Sequence, residues 1–92
     1  MELTETNETN TDIVVWLLNT IRLLVDHPGA VSVEVVENGK VILLHVRTAA
    51  SDKGKVIGRQ ARVVQSIRVL VQSIGKNRGQ TFKVDIVDSE RT

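Results

Sequence analysis

Residues 54–67 read Gly54-Lys55-Val56-Ile57-Gly58-Arg59-Gln60-Ala61-Arg62-Val63-Val64-Gln65-Ser66-Ile67, a pair of glycines and three cations running into a segment with helical spacing. A helix N-terminus leaves backbone N–H groups unpaired and carries the positive end of the helix dipole, so a tight turn that opens a helix can hold an anion. Gly58 lets the backbone approach closely, and Arg59 and Arg62 add charge at the same place. A glycine C-cap followed by a new helix, its cations merely solvated, would give the same pattern. The flanking sequence has to separate the two.

Charge points to the first reading. Between Lys53 and Val84 stand eight cations (Lys53, Lys55, Arg59, Arg62, Arg68, Lys76, Arg78, Lys83) and no acid. The remaining four cations and eleven acids leave the rest of the chain at −7, so the net charge of +1 hides a strongly basic segment. Such asymmetry is what a polyanion-binding face looks like, although a solvated basic helix also produces it.

With 92 residues the chain makes one small domain, and a partner subunit would add to its modest core. Aromatic residues are only Trp16 and Phe82, so Val, Ile and Leu must build the interior. The absence of cysteine removes disulfide scaffolds and thiolate zinc sites. Glu2, Glu5 and Glu8 replace the basic start of a signal peptide. The apolar run Ile13–Val25 is broken by Asn19, Thr20 and Arg22 and falls short of the roughly 20 residues that span a bilayer. These features describe a cytoplasmic protein with no membrane partner.

In chain order, residues 1–11 are polar and acidic and are expected to be a disordered tail. Asp12 can cap a helix reaching about Asp26, with Ile13, Leu17, Ile21 and Leu24 on one stripe and Val14, Trp16, Leu18, Leu23 and Val25 widening it. That surplus of apolar surface invites a second helix or a second subunit. His27-Pro28-Gly29 is expected to end the helix. Val31–Val36 and Val41–Arg47 read as strands joined at Asn38-Gly39, a strong hairpin signal. Ser51 or Asp52 can cap a short helix over Lys53–Ile57, which Gly58 breaks. From Ala61 a further helix places Val63, Val64, Ile67, Leu70, Val71 and Ile74 on one face, with Arg62, Gln65, Ser66, Arg68 and Gln72 opposite and Gly75 as its end. Phe82, Val84 and Ile86 then alternate with Lys83, Asp85 and Val87 as a strand. The sum is an α/β (α+β) domain over residues 12–88 with a short tail at 89–92: a small sheet with helices packed on it.

The order αββααβ, with Val25-Asp26-His27-Pro28 closing the first helix, Asp52-Lys53-Gly54-Lys55-Val56-Ile57-Gly58-Arg59-Gln60 around the turn and Ser66-Ile67-Arg68 beyond it, resembles a type II KH domain, and among these the small bacterial single-KH family KhpA. The resemblance implies a three-stranded sheet with helices on one face and a groove for about four nucleotides of single-stranded RNA, its backbone clamped by a Gly-x-x-Gly loop. Carried over by position, Gly58, Arg59, Gln60 and Ala61 form the clamp, Ile57 lies on the groove floor, Lys55 and Arg62 flank it, and Lys53 and Arg68 add charge. Ala61 departs from the pattern, which has glycine there; its methyl stands where the nucleic-acid backbone would approach, so binding is expected to be weakened or retuned rather than lost. The resemblance further implies an RNA chaperone or post-transcriptional regulator, a homodimer, and a larger KH-containing RNA-binding partner of the KhpB type. A second class stays open, an adaptor or dimerisation module in which a degenerate KH domain has partly given up RNA; Ala61 and the over-apolar first helix favour it.

Catalysis is not expected. His27 and His45 have no metal-ligand spacing, Ser51, Ser66 and Ser73 have no base nearby in sequence, and Gly54–Ala61 lacks the Gly-Lys-Ser/Thr ending of a nucleotide-binding loop. No cofactor or metal is implied. With so few aromatics, bases would rest on aliphatic side chains and phosphates would carry much of the affinity.

Overall fold

The computed structural model describes residues 10–88, so most of the expected tails, 1–9 and 89–92, lie outside the described residues. Helix α1 (Thr11–Arg22) is followed by a 3-10 turn (Pro28–Ala30), strands β1 (Ser32–Asn38) and β2 (Val41–Thr48), helices α2 (Ala50–Ile57) and α3 (Ala61–Asn77), and strand β3 (Thr81–Asp88). This is the expected αββααβ order.

The sheet runs β1-β2-β3, with β1 antiparallel and β3 parallel to the central β2. Asn38 pairs with Val41, so the hairpin loop is Gly39-Lys40, and Gly39 takes the positive φ of 65° that the first loop position requires. The parallel pair needs a crossover, which α2 and α3 supply. Period-two alternation puts Ile42, Leu44, Val46 and Thr48 of β2 in the interior with Phe82 and Ile86 of β3. Ile13, Leu17 and Ile21 of α1, Val56 of α2 and Val64, Ile67 and Val71 of α3 complete the core from one side of the sheet.

Several local expectations are corrected. Helix α1 starts at Thr11, with Asn10 at its cap and Asp12 inside the first turn; the expected tail therefore gives up two residues to the fold. It stops at Arg22, not Asp26: the N–H groups of Leu23 and Leu24 bond back to Thr20 and Ile21, a tightening that closes the last turn and leaves Leu23 87% exposed. Ala49, rather than Ser51 or Asp52, stands at the cap of α2. Helix α3 passes through Gly75 to Asn77, and Gly75 is buried against Gln80 and Phe82. Val63 and Leu70, assigned to the buried face, are exposed, because that face is centred on Val64, Ile67, Val71 and Gly75.

Arg78 joins the two long helices. Its guanidinium donates to Asn10 Oδ1 (3.0 Å) and Asp12 Oδ2 (2.7 Å), which ties the end of α3 to the start of α1. The hydrogen bond from Arg78, opposed in part by burial, holds the Asp12 carboxyl below its ordinary value and raises Arg78 in turn.

Candidate nucleic-acid interface

The turn between α2 and α3 is built by short backbone bonds. Gly58 N–H donates to Gly54 O (2.9 Å), Gln60 N–H to Lys55 O (3.0 Å) and Ala61 N–H to Gly58 O (3.2 Å). Gly58 has φ −91°, so left-handed backbone is not why glycine stands here; a Cβ would lie 3.0 Å from Gly54 O, and the close approach is the reason. Gln60 caps α3 and Ala61 is its first residue, so alanine sits in ordinary helical backbone and differs from glycine there only by its methyl.

No side chain caps α3, and among the described residues the N–H groups of Arg62 and Val63 have no backbone acceptor. Two donors at the positive end of a 17-residue helix are thus open to an anion. The side chains of Arg59 and Arg62 are exposed at the same turn.

Beside the turn lies a cavity of about 280 Å³ lined by Val56, Ile57, Ala61, Val64, Gln65, Arg68 and Ile86. Its walls are the end of α2, the first two turns of α3 and the open edge of β3. Ile57 is 55% exposed, an aliphatic surface on which a base could rest. Arg68 crosses from α3 to the sheet, its Nε donating to Val84 O (3.3 Å) on the edge strand.

Of the residues expected to form the site, Ile57, Ala61 and Arg68 line the cavity, and Gly58, Arg59, Gln60 and Arg62 make the turn above it. Lys53 and Lys55 stand on α2 away from the lining. Lys55 is engaged: its Nζ lies 2.9 Å from Asp26 Oδ1. Gln65 and Ile86 were not expected. Gln65 follows Ala61 by one helical turn and is found by that spacing; Ile86 comes from a strand whose neighbours no local signal specifies.

A buried carboxylate holds α2 in place. Asp52, 1% exposed, accepts the N–H groups of Asp26 (3.1 Å) and His27 (2.9 Å), and its Oδ2 lies 3.0 Å from His27 Nδ1. Burial alone would raise this carboxyl, but the bonds from Asp26 and His27 outweigh it and keep the group below its ordinary value. The connector after α1 is thereby fixed to the helix that carries the turn. His45 lies on the outer sheet face beside Asp85, at 3.7 Å. Among the described residues no group of three or more His, Cys, Asp or Glu is placed to hold a metal, and no helix is long and apolar enough to cross a membrane.

A family model described as KhpA/KhpB, KH domain, matches residues 16–86. Among curated proteins, the chain is similar to "RNA-binding protein KhpA" of Caldanaerobacter subterraneus subsp. tengcongensis, 38% identical over 72 residues that cover 77% of this chain and 96% of the relative. The same-named protein of Mycobacterium leprae is 36% identical over 84 residues, 89% of this chain and 99% of the relative. That of Aquifex aeolicus is 30% identical over 69 residues, 75% and 87% of the two chains. No solved structure matches the chain.

Proposed function

Because the chain belongs to the KhpA/KhpB KH-domain family, we propose that it binds single-stranded RNA, clamping the backbone with Gly58–Ala61 and laying about four nucleotides over the aliphatic groove beneath. It is a binding module and not an enzyme. The observation that carries the reading is the coincidence of two unpaired N–H donors, the exposed Arg59 and Arg62, and an apolar cavity at one helix start. Phosphates meet the donors and cations, and bases rest on the exposed Ile57. With no aromatic platform in the groove, affinity is modest, salt-dependent and poorly selective for sequence. The names of the relatives support RNA as the ligand. The same reading takes the protein to act in the cytoplasm as an RNA chaperone or post-transcriptional regulator, roles that weak, general binding suits.

The test is Arg59→Asp with Gln60→Asp, measured by fluorescence anisotropy on short single-stranded RNA at two salt concentrations. Wild type is expected to bind and to weaken steeply with salt, and the doubly acidic protein to keep its circular dichroism and lose the RNA. Equal binding by the two proteins would refute the clamp.

An adaptor or dimerisation role is the second reading, favoured by apolar side chains left in solvent on two helices, Val15 and Trp16 of α1 and Val63, Val69 and Leu70 of α3. A second copy of this chain, or a larger KH-containing partner of the KhpB type, would cover them. Absence of RNA binding at both salt concentrations would favour this role. A strictly monomeric protein at high concentration in light scattering would count against the homodimer.

A further inference from the structure

We propose that the RNA track continues beyond the clamp into a second phosphate-binding subsite at the far end of the α3–β3 seam, formed around Lys76 and Lys83. This rests on the clamp reading above and extends it.

A second cavity, of about 290 Å³, lies along the same seam as the groove, lined among others by Gln72, Ser73, Lys76, Gln80 and Lys83. The two cavities have no lining residue in common but lie between the same two elements, α3 and β3, with Arg68 on Val84 O between them. Along this flank of α3 the residues Ala61, Gln65, Arg68, Gln72 and Lys76 follow one another at three- and four-residue steps, which aligns them on one side of the helix. All are small, polar or cationic, and none is an acid. Elsewhere on α3 this composition would be a solvated face; here it runs between two cavities.

The second cavity is chemically suited to a nucleotide. Lys76 and Lys83 have no carboxylate partner among the described residues, unlike Lys55 and Arg78 of the same basic segment, whose charges are met internally. Gln80, also in the lining, has its side-chain oxygen Oε1 buried without a hydrogen-bond partner. A buried acceptor left unmatched is costly, and a turn of the Gln80 side chain that brings this oxygen to the cavity lets a ribose 2′-hydroxyl or a base N–H supply the missing donor. Lysines for phosphate beside an acceptor for sugar or base is the donor and acceptor set of a ribonucleotide.

Geometry sets the length. Ala61 and Lys76 are separated by about 22 Å at 1.5 Å per residue. A stacked strand advances about 3.4 Å per phosphate, so no more than about six further nucleotides reach the second cavity. A ten-nucleotide strand can therefore fill both sites, and a four-nucleotide strand fills only the groove beneath the clamp.

The experiment measures anisotropy of labelled oligouridines of four and ten nucleotides with the full chain, comparing wild type, Lys76→Ala with Lys83→Ala, and the control Arg22→Ala with Arg47→Ala, which removes equal charge from residues that line neither cavity. Each protein is compared on the same strand, so the larger number of registers on the longer one cancels. Two lost phosphate contacts on a single strand lower the log–log salt slope by about 1.4, or roughly 25-fold in affinity at 0.1 M salt. That loss is expected for the ten-nucleotide strand with Lys76→Ala and Lys83→Ala only, with the four-nucleotide strand unaffected. An unchanged slope and affinity, or an equal loss in the control, overturns the second subsite. Failure of wild type to bind either length overturns the clamp reading itself and the subsite with it.

Discussion

Alanine at Gly75 and alanine at Gly54 are expected to move stability in opposite directions, and the sign of each follows from what a methyl would meet. Both glycines lie in helices, where alanine is favoured by about 1 kcal/mol. At Gly54 a Cβ has nothing within 4 Å, so propensity acts alone and Gly54→Ala should stabilise by about 0.5–1 kcal/mol. At Gly75 a Cβ would stand 2.9 Å from Gln80 O and 3.1 and 3.2 Å from Cγ and Cδ1 of Phe82. Neither neighbour yields easily. The Gln80 carbonyl belongs to a loop whose N–H is bonded to Gly75 O at 2.8 Å, and Phe82 is 1% exposed in the core. Overpacking costs about 1–3 kcal/mol, and with a backbone atom and a buried ring both in the way the upper half of that range applies. After the propensity gain, Gly75→Ala should lose about 1–2 kcal/mol, or roughly 4–8 °C in melting temperature per kcal/mol for a domain of this size. Urea unfolding at 25 °C reads both values, provided the m-values agree. If Gly75→Ala proves as stable as wild type, or if the two variants shift together, the close packing of α3 on the start of β3 is not what excludes a side chain there.

Other outcomes follow from the interface. The Asp52 carboxyl is held below its ordinary 3.8, so its stabilising contribution is fully present above that pH and is lost as pH falls through the lower folded value; Asp52→Asn should flatten the acid limb of a stability–pH curve below about pH 4 and leave its slope near neutrality unchanged. Asp26→Ala releases Lys55 from its 2.9 Å partner, and since an exposed pair is worth about 0.2–1 kcal/mol, RNA affinity should rise by up to about fivefold with a steeper salt slope. Ala61→Gly should tighten RNA binding while costing at most about 1 kcal/mol of helix stability; unchanged affinity would mean the clamp already tolerates the methyl.

The element order and the turn were legible because they rest on local signals: β-branched runs around Asn38-Gly39, helical spacing from Ala61, and Gly58 between two helices. The misreadings share a different cause. Leu23, Leu24 and Val25 continue the apolar pattern of α1, yet nothing in periodicity says that the last turn tightens after Arg22. Gly75 looks like a helix stop until the return of β3 brings Phe82 against it. Asp52 looks like a cap, but its partners Asp26 and His27 lie more than twenty residues away, beyond any local pattern. The same limit hid Ile86 and the second cavity, since which strand edge meets which helix flank is decided by the parallel pairing of β2 with β3. Charge counting overstated the free cations for a related reason: Lys55 and Arg78 find acids brought to them by the fold.

The placement of β3 carries a consequence for synthesis. The groove is walled by the end of α2, the start of α3 and the strand that follows, so a growing chain that has completed both helices and the hairpin still lacks one of its walls. The seam closes only after residues 81–88 have emerged and zipped onto β2 in parallel register. On the proposed reading, a nascent or truncated chain lacking that strand would offer the turn and its arginines beside an incomplete groove.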